Sequence, residues 1–166
     1  HKFNGPKGSG FLYISRQQKI SPEITGGSQE RDMRGGTENV YGIVGLTKAL
    51  ELSYERLEEK HRHISGLKDH MMKRLTTELE DIEFNGDPTG QSLYTVLSVS
   101  FPPKDVGSML LFNLDIAGIS ASGGSACSSG AVGGSHVINH IKPGSDRTTI
   151  RFSFGPFNTM DDIDKT

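Results

Sequence analysis

The stretch from Leu57 to Leu79 constrains this chain more than any other. Leu57, Ile64, Leu67, Met71, Leu75 and Leu79 recur mostly at steps of three, four or seven, the spacing of one face of an α-helix. Glu, Lys and Arg fill the other positions, so the opposite face is solvated. This long helix separates two parts of different character. Before it, glycine-punctuated loops lead into a shorter helix. After it, short strands alternate with short helices. The mixture predicts an α/β chain: the C-terminal end of one α/β domain over residues 1–54, joined to a compact α+β unit over 55–166.

The smaller elements follow from local chemistry. Residues 3–10 are turn-forming, and Phe11 to Ile14 reads as a short buried strand. Residues 21–36 form a polar loop punctuated by Gly26, Gly27, Gly35 and Gly36, long enough to carry function. Thr37 reads as the N-cap of a helix whose face is Val40, Ile43, Val44, Ala49, Leu50 and Tyr54. Ile82 to Phe84 is a short strand, and Asn85-Gly86-Asp87-Pro88 breaks the chain. Leu97, Val99 and Phe101 alternate within 95–101 as a half-buried strand does. Asp105 caps a helix through Met109, Leu110, Leu111 and Leu114, and Ile116 and Ile119 fall in a brief extended piece. Residues 122–134 form a second Gly/Ser loop. Ser135 caps a short helix, Thr149 to Phe154 is a strand, and Thr159 opens a last helix.

Composition excludes several partners. The chain carries 18 basic and 20 acidic residues for a net charge of −2, whereas a nucleic-acid footprint needs a basic excess. No apolar run approaches the roughly 18 residues of a membrane span. No signal-peptide pattern is visible, and Cys127 is the only cysteine, so a reducing, cytoplasmic compartment is expected. Glycine accounts for 21 of 166 residues, well above the roughly 7% of ordinary chains, and marks turns and close backbone approaches. The chain opens on His1 rather than Met and closes within a helix start, so it reads as a piece of a longer polypeptide.

Chemistry concentrates at few positions. Cys127 has Ser122, Gly123, Gly124, Ser125, Ser128, Ser129 and Gly130 around it. Small polar neighbours favour exposure, one condition for a reacting thiol, although an ordinary surface cysteine has the same setting. Lys2 and Lys7 flank a glycine-rich turn, where either is a Schiff-base lysine or a solvated cation. Arg151, in a strand-like run, suits bidentate recognition of a carboxylate or a plain salt bridge. His136 and His140, spaced i, i+4, combine with Cys127 as three zinc ligands on paper. Without a second cysteine or an HExxH pattern, no metal is assigned. No GxxxxGK[ST] or complete GxGxxG occurs.

Together the pieces resemble a family. His1-Lys2-Phe3-Asn4-Gly5-Pro6-Lys7-Gly8 resembles the cofactor-lysine segment of the cysteine desulfurases, pyridoxal-phosphate enzymes of aminotransferase fold type I and class V. Gly26-Gly27-Ser28-Gln29-Glu30-Arg31 and Arg34-Gly35-Gly36-Thr37 resemble their glycine-rich loop, with Ser28 where glycine is usual. Ser122 to Ser129 resembles their mobile catalytic loop of the Ser/Gly-rich class. Thr149-Ile150-Arg151-Phe152-Ser153-Phe154-Gly155 resembles the segment of their substrate-carboxylate arginine. Four motifs fall in the family's order.

The resemblance implies the C-terminal part of such a fold: the end of the cofactor-binding large domain and most of the small α+β domain. Lys2 would hold pyridoxal phosphate covalently and move the substrate's Cα proton, with His1 beside the cofactor. Thr37 would hydrogen-bond the cofactor phosphate of the neighbouring subunit in a homodimer. Cys127 would take sulfur from L-cysteine as a persulfide, leaving L-alanine, and Arg151 would clamp the carboxylate. The persulfide would pass to a sulfur acceptor or scaffold protein, for iron–sulfur cluster assembly. Most cofactor ligands of the family precede the lysine, so the 166-residue chain alone is expected to be inactive. Alternatives are a selenocysteine lyase-like enzyme and a non-catalytic interaction or metal-binding domain using Cys127, His136 and His140.

Overall fold

The chain is described by a computed structural model over residues 2–103, 109–123 and 135–166. It divides into two compact units, His1–Leu57 and Glu58–Thr166. No helix among the described residues is long and apolar enough to cross a membrane.

The first unit is built on helix α1, Val40–Glu55. Its N-cap is Asn39, whose side chain accepts from the Gly42 N–H at 3.1 Å. Thr37, expected in that role, lies too far before the first helical residue to reach those N–H groups, and it is exposed. The apolar face read from the sequence is also displaced. Of the expected face Ala49 and Leu50 are half-buried, but Val40, Ile43, Val44 and Tyr54 are exposed, and the buried residues are Gly42 and Leu46. The reason is packing by small residues. A Cβ on Gly5 would meet Leu46 and Ala49 at 3.4 and 3.6 Å, and one on Gly45 would meet Pro6 at 3.3 Å. The turn segment 3–10 therefore lies directly across Gly45, Leu46 and Ala49. Phe11 to Ile14 forms no strand, and Phe11, Leu12 and Tyr13 are 73, 74 and 84% exposed. Their apolar character is real, but a strand needs a ladder partner, and the described residues of this unit contain none.

Helix α2, Leu57–Glu78, realises the long periodic stretch. It buries Ile64, Leu67 and Met71, along with the stem of Lys68, whose Nζ donates to Ser92 Oγ at 3.3 Å. A three-stranded antiparallel sheet follows, in the order β1 (Glu83–Phe84), β2 (Val96–Phe101), β3 (Thr148–Ser153). Its core face supplies Leu97, Val99, Ile150 and Phe152, and these meet Ile64, Leu67 and Met71 together with Phe154 and Ile163. Short helices α3 (Leu110–Ile116) and α4 (His136–Ile141) precede β3 in the chain. Ile163 lies on the last helix, α5 (Met160–Asp164), where Thr159 and Asp162 close a capping box. Ile116 ends α3 instead of lying in an extended piece. The proposed cap Asp105 lies outside the described residues. Ser135 does cap α4, accepting from the Ile138 N–H. Charged pairs brace the edge at β1: Arg147 with Asp81 at 3.2 Å, and Lys142 with Glu83.

Candidate active site

The sheet's second face is polar by the same alternation that makes the first apolar. With Leu97 and Val99 turned to the core, Ser98 and Ser100 turn the other way. The β2–β3 register sets Ser98 opposite Arg151 and Ser100 opposite Thr149. Asn85 continues the ladder just beyond β1, its N–H donating to the Ser98 carbonyl at 2.9 Å. Its Nδ2 donates to Ser98 Oγ at 3.1 Å and to Ser100 Oγ at 2.9 Å. Ser100 Oγ also meets Asn85 Oδ1 at 3.2 Å and Thr149 Oγ1 at 2.9 Å. Ser100 is only 1% exposed, and such a buried hydroxyl is tolerated because every neighbour in the cluster is a partner.

Arg151 sits at the centre of this face. Its backbone N–H donates to Ser122 at 2.7 Å, and its carbonyl accepts from the Ser122 N–H at 3.1 Å. Ser122 thus extends the sheet on the far edge of β3. Because Arg151 spends both backbone groups on Ser122, it faces Ser98 as a pair without mutual backbone bonds. In that kind of pair the side chains come closest. A cavity of about 260 Å³ opens over this region, bounded by Asn85, Ser98, Ser122, Gly123, Ser135, His136 and Arg151, among others. Arg151 is half-buried. Among the described residues its guanidinium has no hydrogen bond or ion pair. A half-buried, unpaired cation beside hydroxyls and a carboxamide is equipped to receive an anion.

Gly123 and Ser135 are the described residues at the two ends of the serine- and glycine-rich loop, and both border that cavity. Cys127 itself lies outside the described residues, as does His1. His136 borders the cavity and His140 is exposed on α4. Among the described residues no cluster of three metal-ligating side chains occurs, and the zinc set that needs Cys127 falls outside that comparison.

In the first unit, Lys2 is exposed in a turn, and its amine makes no hydrogen bond or ion pair among the described residues. The glycine-rich loop is closely built. The Gly35 N–H donates to Ile24 at 2.8 Å, and a Cβ on Gly35 would come within 2.9 Å of Thr25 and Gly26 backbone. The Gly36 N–H donates to Gln29 Oε1 at 3.1 Å. Glu30, Arg31 and Asp32 all have positive φ, at 48, 58 and 64°, a rare run for non-glycine residues and a form of strain that gathers at functional loops. Ser28, standing where glycine is usual, has φ −81°, which any residue adopts.

Of the residues that border the cavity, sequence patterning singles out Arg151 and the loop that begins at Ser122, and it passes over Asn85 and Ser98. Asn85 reads as a turn, and Ser98 as the polar half of an alternating strand. The available signal is two serines on the strand's non-core face.

The whole chain matches known proteins. The aminotransferase class-V family profile matches residues 1–166. "Cysteine desulfurase IscS" of Methanosarcina thermophila is 43% identical over 171 residues, covering 99% of this chain and 41% of that protein. A solved "NIFS-LIKE PROTEIN" superposes with a TM-score of 0.77 at 35% identity, over 99% of this chain and 41% of that one. A second solved structure, "SspA in complex with cysteine", gives a TM-score of 0.62 at 27% identity, over 96% of this chain and 43% of that one. The chain therefore spans less than half the length of the proteins it matches. Over that span it belongs to the aminotransferase class-V family.

Proposed function

We propose that this chain is the C-terminal part of a cysteine desulfurase, an enzyme that takes sulfur from L-cysteine and leaves L-alanine and a persulfide on Cys127. The observation that carries the reading is the Arg151 guanidinium, without a partner among the described residues, on a cavity bordered by Gly123 and Ser135 on either side of the Cys127 loop. Support comes from the desulfurase relative and from the related SspA structure, which is a complex with cysteine. In this reading residues 1–54 end the cofactor-binding large domain and 55–166 belong to the small domain.

The available donors suit pyridoxal phosphate: Lys2 offers an exposed primary amine without a partner among the described residues, and Thr37 an exposed hydroxyl near the start of α1. When bound, the cofactor supplies an electron sink next to the substrate's Cα. Lys2 would hold the cofactor and move the Cα proton, and the family resemblance gives His1 a role next to the cofactor. Thr37 would donate to the phosphate, from the neighbouring subunit of a homodimer. Arg151 receives the substrate carboxylate in two parallel hydrogen bonds, which fixes the side chain's direction. Cys127, as thiolate, attacks the substrate sulfur. The S–S bond forms as the Cβ–S bond breaks, and a proton ends on Cβ of the product alanine. Cys127 is four residues beyond Gly123 in the chain. A Gly/Ser tether of that composition lets one sulfur reach the substrate and then an acceptor protein, as iron–sulfur cluster assembly requires.

Arg151→Lys tests the reading in an enzyme of the length of these relatives. The charge stays and the fork is lost, so KM for L-cysteine is expected to rise roughly tenfold or more. An unchanged KM removes Arg151 from the substrate site.

A further inference from the structure

We propose that Ser98 is a second donor to the substrate carboxylate, acting beside Arg151; this rests on the reading of Arg151 as the carboxylate's partner. Three observations lead there. Ser98 stands directly opposite Arg151 in the β2–β3 register, on the cavity side of the sheet. The pair shares no backbone bonds, because Arg151 bonds Ser122 and the Ser98 carbonyl accepts from Asn85. The side chains therefore project from the closest type of cross-strand pair.

The third observation fixes the hydroxyl's role. Asn85 Nδ2 donates to Ser98 Oγ at 3.1 Å, so the amide occupies a lone pair and leaves the O–H as the group still to be used. Among the described residues that O–H has no acceptor, and Ser98 borders the cavity. A hydroxyl held as a donor, next to a guanidinium with no anion, matches a carboxylate oxygen left over from the guanidinium fork. Asn85 is then a positioning residue. Its carboxamide, shared between Ser98 and Ser100, orients the hydroxyl without touching the ligand.

The test uses the pyridoxal-phosphate-loaded enzyme at the full length of its relatives and two competitive ligands, L-alanine and its decarboxylated counterpart ethylamine. Ser98→Ala is expected to weaken L-alanine roughly tenfold, the scale of one hydrogen bond to a charged group, and to leave ethylamine unchanged. Ser98→Thr keeps the hydroxyl on a β-branched residue suited to a strand and is expected to restore L-alanine binding. Equal weakening of both ligands by Ser98→Ala means a structural role and overturns the proposal. No weakening of either also overturns it. Arg151→Lys serves as the reference. If it weakens L-alanine while Ser98→Ala does not, Ser98 is excluded and the carboxylate site stands. If Arg151→Lys leaves L-alanine unaffected, the carboxylate reading fails and takes the Ser98 role with it.

Discussion

Ser100→Ala is the sharpest probe of the polar sheet face. Ser100 is 1% exposed and has three partners: Asn85 Nδ2 at 2.9 Å, Asn85 Oδ1 at 3.2 Å and Thr149 Oγ1 at 2.9 Å. Its one proton serves a single acceptor at a time, so the remaining contacts must be donated to it. Removing the hydroxyl leaves Asn85 Nδ2 with Ser98 as its acceptor but strands Asn85 Oδ1 and Thr149 Oγ1. A fully buried orphan costs about 1–3 kcal/mol. Asn85 and Thr149 are only half-buried, and water reaches them in part, so the expected total is about 1–2 kcal/mol. Urea unfolding at constant m-value measures it. A double-mutant cycle with Thr149→Val tests the cause: if the two hydroxyls are partners, the double variant loses at least about 0.5 kcal/mol less than the sum of the singles. A loss below about 0.5 kcal/mol for Ser100→Ala, typical of an ordinary surface change, or strict additivity in the cycle, would refute the reasoning.

Two further outcomes are expected. The Asp164 carboxyl is held below its ordinary value of 3.8, first by the hydrogen bond to His70 and then by Arg74, with His70 Nε2 and Arg74 Nη1 each at 2.7 Å. A depressed carboxylate contributes stability that is present above pH 3.8 and is lost as pH falls through the folded-state value; Asp164→Asn should therefore flatten the acid side of the pH–stability curve, and an unchanged curve would show that the contact does not persist in solution. Borohydride reduction of the cofactor-loaded enzyme, followed by peptide mapping, should find the cofactor on Lys2, whereas a label on Lys7 would shift the motif's register.

What the sequence discloses depends on whether the determining contacts are local. Ile64, Leu67 and Met71 were legible because a helix imposes its own period, and Leu97 and Val99 because a strand does. Thr159 and Ser135 cap their helices as their chemistry requires. Where the decision is made at a distance, local patterning misleads. Phe11 to Ile14 has strand composition, but composition cannot supply a ladder partner. The buried side of α1 is chosen by the close approach of Gly5 and Pro6 to Gly45, Leu46 and Ala49, and hydrophobicity favours the other side. Thr37 and Asn39 are both good caps, and only the helix start separates them. In the site, Arg151 stands out as a charge in a strand. Ser98 and Asn85 do not, because their significance lies in a cross-strand register that no local pattern encodes.

The central claim is that Cys127 carries the sulfur, and peptide mass analysis of the enzyme after incubation with L-cysteine tests it most directly. The account predicts a gain of one sulfur atom on the Cys127 peptide, matched by L-alanine formation, with Cys127→Ala retaining pyridoxal phosphate but releasing no sulfide in the presence of a reductant. Undiminished sulfide release by Cys127→Ala, or sulfur found on another residue, would contradict it.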